Sequence, residues 1–95
     1  MCRLGFNPEH DIPAVIERFR HQQALRPRSV FSHFVGSDSP DFDEFSAQQF
    51  ARFDRASLEL QAAFPFHVMR HICNSAGIER FPERQLDMCR LGLGL

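Results

Sequence analysis

Apolar positions first recur with a helical period just after Asp11. Ile12, Val15, Ile16 and Phe19 fall at i, i+3, i+4 and i+7, a single apolar stripe in a polar segment. Asp11 stands where an N-cap belongs, and Pro13 is tolerated in a first helical turn. Arg18, Arg20 and His21 gather at the far end, and Arg26-Pro27 breaks the pattern. Residues 28–35 (RSVFSHFV) are rich in β-branched and aromatic side chains and close on Gly36, which predicts a short buried strand. A polar loop over 36–44 (GSDSPDFDE) leads to the longest predicted helix, 45–63. Phe50, Phe53, Leu60 and Phe64 share one of its faces, with Ala56 and Ala63 beside them, and Pro65 stops it. Residues 67–73 are the next strand candidate and Asn74-Ser75-Ala76-Gly77 the turn after it. Residues 86–91 form a last strand running into Gly92 and Gly94.

Helix, strand, helix, strand, short turn, strand is the alternation of parallel α/β structure. The eleven phenylalanines fit it as large apolar bodies packing helix on sheet, and each is expected in the core. Met1-Cys2-Arg3-Leu4-Gly5 recurs letter for letter as Met88-Cys89-Arg90-Leu91-Gly92, 87 residues on. That offset is close to three units of about 30 residues, the size of a βαβ repeat. A strand end carrying arginine therefore recurs three units later. Parallel strands here would leave an open edge, and a whole eight-stranded α/β barrel needs about 250 residues. The fold class expected is α/β: part of a (β/α)8 barrel, three to four parallel strands with intervening helices, residues 1–95 being an incomplete segment.

Composition removes several function classes. The apolar runs are too short for a membrane span, and no leading basic-apolar stretch reads as a signal peptide. Eleven basic and twelve acidic residues give a net charge of -1 with no basic tract, which argues against nucleic acid. Cys2, Cys73 and Cys89 lack zinc-ligand spacing and read as reduced thiols of a cytoplasmic protein. Every basic residue is arginine, and the chain contains no lysine and no tyrosine. It can supply neither a lysine Schiff base nor a tyrosine acid/base.

Ligands of parallel α/β folds sit at the carboxyl ends of the strands. The polar residues at those ends are Arg3, His33, Asn74, Ser75 and Arg90, with Gly92 beside them. Arginine offers permanent charge and a planar fork of donors, and glycine lets backbone N–H groups approach an anion closely. Other readings stand beside these. His33 also fits a packed core histidine, Asn74-Ser75 a helix cap, and Arg3 and Arg90 ion pairs with Asp87 or Glu83. His10, His21, His67 and His71 are read as surface or structural. On a strand His67 and His71 lie about 13 Å apart, too far to share a metal ion, so no metal site is expected.

The segments Met1-Cys2-Arg3-Leu4-Gly5-Phe6, Ser32-His33-Phe34, Cys73-Asn74-Ser75-Ala76-Gly77-Ile78 and Arg90-Leu91-Gly92-Leu93-Gly94 occur in the order and spacing of bacterial alanine racemase. The resemblance covers essentially the whole chain but only a middle segment of that family's N-terminal barrel. Residues 74–82 (NSAGIERFP) also resemble the racemase half of fused muramoyl-tripeptide ligase–alanine racemase proteins.

The resemblance implies pyridoxal 5′-phosphate, a homodimer of the full-length protein, and interconversion of L- and D-alanine for peptidoglycan synthesis. Carried over by motif, Arg90 resembles the arginine that donates to the cofactor's pyridine nitrogen, and Arg3 the one near its phenolic oxygen. His33 and Asn74 resemble the layer that orients them. Ser75, with backbone groups at Gly92 and Leu93, resembles part of the phosphate cup. The family's catalytic lysine and tyrosine are absent here, so the chain alone is expected to be inactive. Two alternatives are a non-catalytic barrel that binds the same cofactor and a truncated α/β module that binds a plain anion.

Overall fold

The computed structural model describes residues 4–93. Helix α1 (Ile12–Arg20) carries the expected stripe, with Ile12 buried. Asp11 precedes it without capping. Its backbone is already helical, and its carboxylate instead accepts the Asn7 N–H at 2.7 Å. Strand β1 (Ser29–Phe31) and strand β2 (Met69–His71) pair in parallel, Ser29 opposite Met69, Val30 opposite Arg70 and Phe31 opposite His71. Helix α2 (Asp43–Ala62) crosses between them, entered through a 3-10 turn over Pro40–Phe42. Helix α3 (Ser75–Arg80) follows β2. This is the α/β crossover predicted from the alternation of periods.

Both strands are shorter than the runs 28–35 and 67–73, because α2 takes over the flanking backbone with two glutamine amides. Gln49 donates to His33 O at 2.5 Å and accepts the Val35 N–H at 3.3 Å. Gln61 donates to Phe66 O at 2.7 Å and accepts the Val68 N–H at 2.6 Å. Backbone groups satisfied by side chains have no need of a ladder partner.

Residues 86–91 lie alongside β2 as a third strand would, but no ladder forms. The Asp87 N–H donates to Arg70 O at 3.1 Å and the Arg90 N–H to Cys73 O at 3.0 Å. In return the Arg70 N–H is taken by the Asp87 carboxylate at 2.8 Å rather than by backbone, and Leu86 enters the segment at a φ of 54°. The turn expected over Asn74-Ser75-Ala76-Gly77 is instead the start of α3: the Asn74 side chain accepts the Gly77 N–H at 3.0 Å and caps the helix.

Phe34, Phe53, Ile72, Cys73 and Phe81 form the core, with Val30, Phe50 and Ile78 packed against it. Arg70 points from β2 into α2, pairing with Asp54 and donating through Nε to Ser57 Oγ at 2.8 Å. The expectation that every phenylalanine is core fails for Phe6, Phe31, Phe42 and Phe45, which are exposed. Strand residues alternate faces, so Val30 and Phe31 cannot both look toward α2.

Candidate functional site

Arg90 lies across the carboxyl ends of both strands. Its Nη1 donates to His71 Nδ1 at 2.5 Å and its Nη2 to Ser32 O at 2.7 Å. Nη2 also lies 3.4 Å from both Ile72 O and His33 Nδ1, and the guanidinium carbon sits 5.3 Å above the Phe31 ring centre. Neither acidic partner considered from sequence reaches it. Asp87 faces His67 and the Arg70 N–H, and Glu83 faces Arg84. Burial pulls the Arg90 guanidinium below its ordinary value, opposed by the neighbouring Cys73 and Cys89 thiols. An arginine fixed by neutral acceptors keeps its whole charge for something else.

His71 is buried and accepts from a cation, so it must be neutral. Burial, and then the Arg90 charge, lower its pKa. Cys73 is fully buried, and its thiol is pushed up to about 11, first by burial and then by Cys89. It behaves as a small apolar core residue rather than a nucleophile.

A second cluster adjoins the first. Ser75 Oγ accepts the Gly92 N–H at 2.9 Å, joining the start of α3 to the segment that carries Arg90. Among the described residues, a Cβ on Gly92 would meet only Ser75 Oγ, at 4.0 Å, which leaves room in front of this glycine. Leu93 follows, fully exposed. Asn74 lies just behind and is spent on structure: Oδ1 accepts Ser37 Oγ–H at 2.7 Å and the Gly77 N–H, and Nδ2 donates to Phe34 O at 3.3 Å. The strand ends thus gather His33, Ser75, Arg90 and Gly92, with Asn74 as their brace. Arg3 lies outside the described residues.

Residues 1–95 match the family described as alanine racemase, N-terminal domain. The chain belongs to that family. It is 37% identical over 95 residues to the alanine racemase of Nitratidesulfovibrio vulgaris (strain DSM 19637 / Miyazaki F), covering 100% of this chain and 25% of that one. To alanine racemase 2 of Bacillus subtilis (strain 168) it is 31% identical over 101 residues, covering 100% and 24%. Among solved structures, the alanine racemase of Clostridium difficile 630 superposes with a TM-score of 0.85 at 29% identity, over 98% of this chain and 25% of that one. That of Streptomyces coelicolor A3(2) gives 0.84 at 26% identity, covering 98% and 25%. The chain spans about a quarter of the length of the relatives it matches.

Seen as an alanine racemase N-terminal domain segment, the site holds two residues that sequence reasoning missed. His71, read as structural or surface, is the acceptor that fixes Arg90. The signal was available: it is the last residue of β2, and strand carboxyl ends are where site residues collect. Ser37, buried behind Asn74, had no sequence signal because its partner is 37 positions away. Among the described residues, no three His, Cys, Asp or Glu side chains are grouped to hold a metal ion, and no helix is long and apolar enough to cross a membrane.

The donor set fits pyridoxal phosphate by its chemistry. A guanidinium held on neutral acceptors and a serine hydroxyl, beside a glycine with room in front of its Cα, suit a planar body with an acceptor nitrogen and an anionic tail.

Proposed function

We propose that this chain is the cofactor-facing segment of a pyridoxal-phosphate-dependent alanine racemase, with residues 1–95 forming part of its N-terminal barrel. The observation that carries the reading is Arg90, held by His71 Nδ1 and Ser32 O beside the Ser75–Gly92 contact in a chain that matches the alanine racemase N-terminal domain. When bound, the cofactor supplies an electron sink for the α-carbon of an amino acid. The residues of this chain set how strong that sink is. Arg90 would donate to the pyridine nitrogen but, as a guanidinium, could not give up its proton, so the nitrogen would stay unprotonated and the sink weak. A weak sink suits proton exchange at one carbon and disfavours transamination.

By the resemblance, Arg3 would serve the phenolic oxygen, and Ser75, with backbone groups at Gly92 and Leu93, would hold the phosphate. His33 and Asn74 orient this layer. The lysine and tyrosine bases come from other parts of the longer racemase, since this chain has neither residue. Its substrate is alanine, its product feeds peptidoglycan, and the full-length protein is a cytoplasmic homodimer. Residues 74–82 (NSAGIERFP) also resemble the racemase half of the fused ligase–racemase proteins.

The test uses the 95-residue chain and the longer racemase that carries it. Titrating inorganic phosphate, then pyridoxal phosphate, into the ¹⁵N-labelled chain should shift Ser75, Gly92 and Leu93 with both and Arg90 with the cofactor alone. Equal responses to the two would mark a plain anion-binding module. The chain plus cofactor should racemise alanine no faster than free cofactor, and borohydride should trap an adduct only at the α-amino group of Met1. A longer protein that binds the cofactor without racemising alanine would turn the reading to a non-catalytic barrel.

A further inference from the structure

Phe31 is out of place as a core residue. It is 64% exposed, whereas Phe34, Phe53 and Phe81 are each at or below 8%. Its contacts are with two polar groups. The His71 ring stacks on it at 5.3 Å between centres and 5° between planes, and the Arg90 guanidinium carbon lies 5.3 Å above it.

We infer that Phe31 is a positioning residue, a flat platform that fixes the plane of the His71 ring and through it the direction of the Arg90 guanidinium. The terminal torsion of a histidine is broad, so nothing intrinsic to His71 selects the plane that aims Nδ1 at Arg90. Stacking at 5° selects it. The parallel register sets Phe31 directly beside His71, and the carbonyl of the next residue, Ser32, accepts from Nη2 of the same arginine at 2.7 Å. Two consecutive residues of one chain segment thus hold the guanidinium, one through its histidine acceptor and one directly.

Among the described residues, the charged and titratable groups beside His71 are Arg90, in contact, and His33, which lies 3.4 Å from the same guanidinium. Without the ring, His71 gains water and loosens from Arg90. Both changes undo the causes that lower its pKa, so its titration moves upward. The role goes beyond the proposed function in needing no cofactor; its consequence for catalysis rests on the reading of Arg90 as the pyridine donor.

The experiment follows the ¹³Cε1 signal of His71 against pH, together with the Arg90 side-chain ¹⁵N signals, in the 95-residue chain. Phe31→Leu keeps an apolar side chain but removes the flat face, and Phe31→Tyr keeps the face. With Phe31→Leu the His71 midpoint should rise toward 6.5, the ordinary imidazole value, and the Arg90 Nη signals should broaden. Phe31→Tyr should leave both as in the parent. If Phe31→Leu does not fold, Phe31→Met is read in the same way. Any folded non-aromatic variant that leaves the His71 midpoint and the Arg90 signals unmoved overturns the assignment, even if it melts earlier. Loss of the cofactor response at Arg90 in the parent chain, with the His71 shift intact, would count against the proposed function and leave the platform standing.

Discussion

The Ser37 hydroxyl donates to Asn74 Oδ1 at 2.7 Å and ties the loop after β1 to the first turn of α3. The same oxygen caps the helix through the Gly77 N–H, and the amide nitrogen of Asn74 reaches Phe34 O. Arg80 closes the brace from the other end of α3, donating to Ser37 O at 2.8 Å and to Asp43 Oδ1 at 2.8 Å. The two strand ends that carry His33 and Ser75 are therefore joined by side chains beyond the point where the sheet stops.

Asn74→Ala removes a cap and strands the hydroxyl of buried Ser37 and the carbonyl of buried Phe34. The expected loss is about 3 kcal/mol of unfolding free energy, the cap and each of the two unmet partners costing roughly 1 kcal/mol. Asn74→Asp keeps the accepting oxygen and should lose less. Urea unfolding of the three proteins decides this, and equal midpoints for Ala and Asp would show that the cap carries no weight.

Gly36→Ala should destabilise the same loop. A Cβ there would lie 2.5 Å from Phe42 Cβ and 2.7 Å from its Cγ, atoms too near the backbone to swing aside. Forcing the 3-10 turn outward is expected to cost roughly 1–3 kcal/mol. A thermal melt unchanged from the parent would contradict the contact.

The pH dependence of stability carries a signature of His71. Its folded pKa is depressed, so the folded state gives up its proton more readily than the unfolded chain does. The resulting stability is fully present above 6.5, the unfolded value, and drains away as pH falls from there through the folded pKa. Protonation also removes the acceptor for Arg90 and sets two cations side by side. Denaturant midpoints measured between pH 8 and pH 5 should fall in this window, and His71→Asn should flatten that component.

Arg70→Met tests how α2 is docked on β2. Arg70 is 15% exposed and its partner Asp54 39%, so the carboxylate regains water when the arginine leaves. The cost should be about 1–2 kcal/mol, between an exposed pair and a fully buried one. A loss above about 4 kcal/mol would mean that Asp54 is desolvated in solution.

With Arg90 as the proposed pyridine donor, Arg90→Glu in the longer racemase would set an anion opposite the pyridine nitrogen and favour its protonation. Racemisation should slow at least a hundredfold, about 2.7 kcal/mol in the barrier, while transamination of alanine to pyruvate becomes measurable. Arg3→Glu should weaken cofactor binding without that side reaction. Identical behaviour of the two variants would merge the separate roles given to these arginines.

The α/β class, the crossover helix and the cluster of polar residues at strand ends were legible in the sequence because each is local or periodic. The stripe Ile12, Val15, Ile16, Phe19 needs only helical geometry, and the strand-end rule needs only chain order. The strand lengths were not legible: Gln49 and Gln61 satisfy the flanking backbone from a helix distant in sequence. Nor was the fate of residues 86–91, where the Asp87 side chain takes a ladder position that backbone would otherwise hold. His71 shows the division most plainly. A histidine in a strand is polar or packed, charged or neutral, according to what stands beside it. Only the parallel register puts Phe31 under its ring, and only the return of the chain after α3 brings Arg90 to its nitrogen. Sequence periodicity chooses which face a residue occupies. The through-space contacts that set its charge and its plane exist only once the chain has closed on itself.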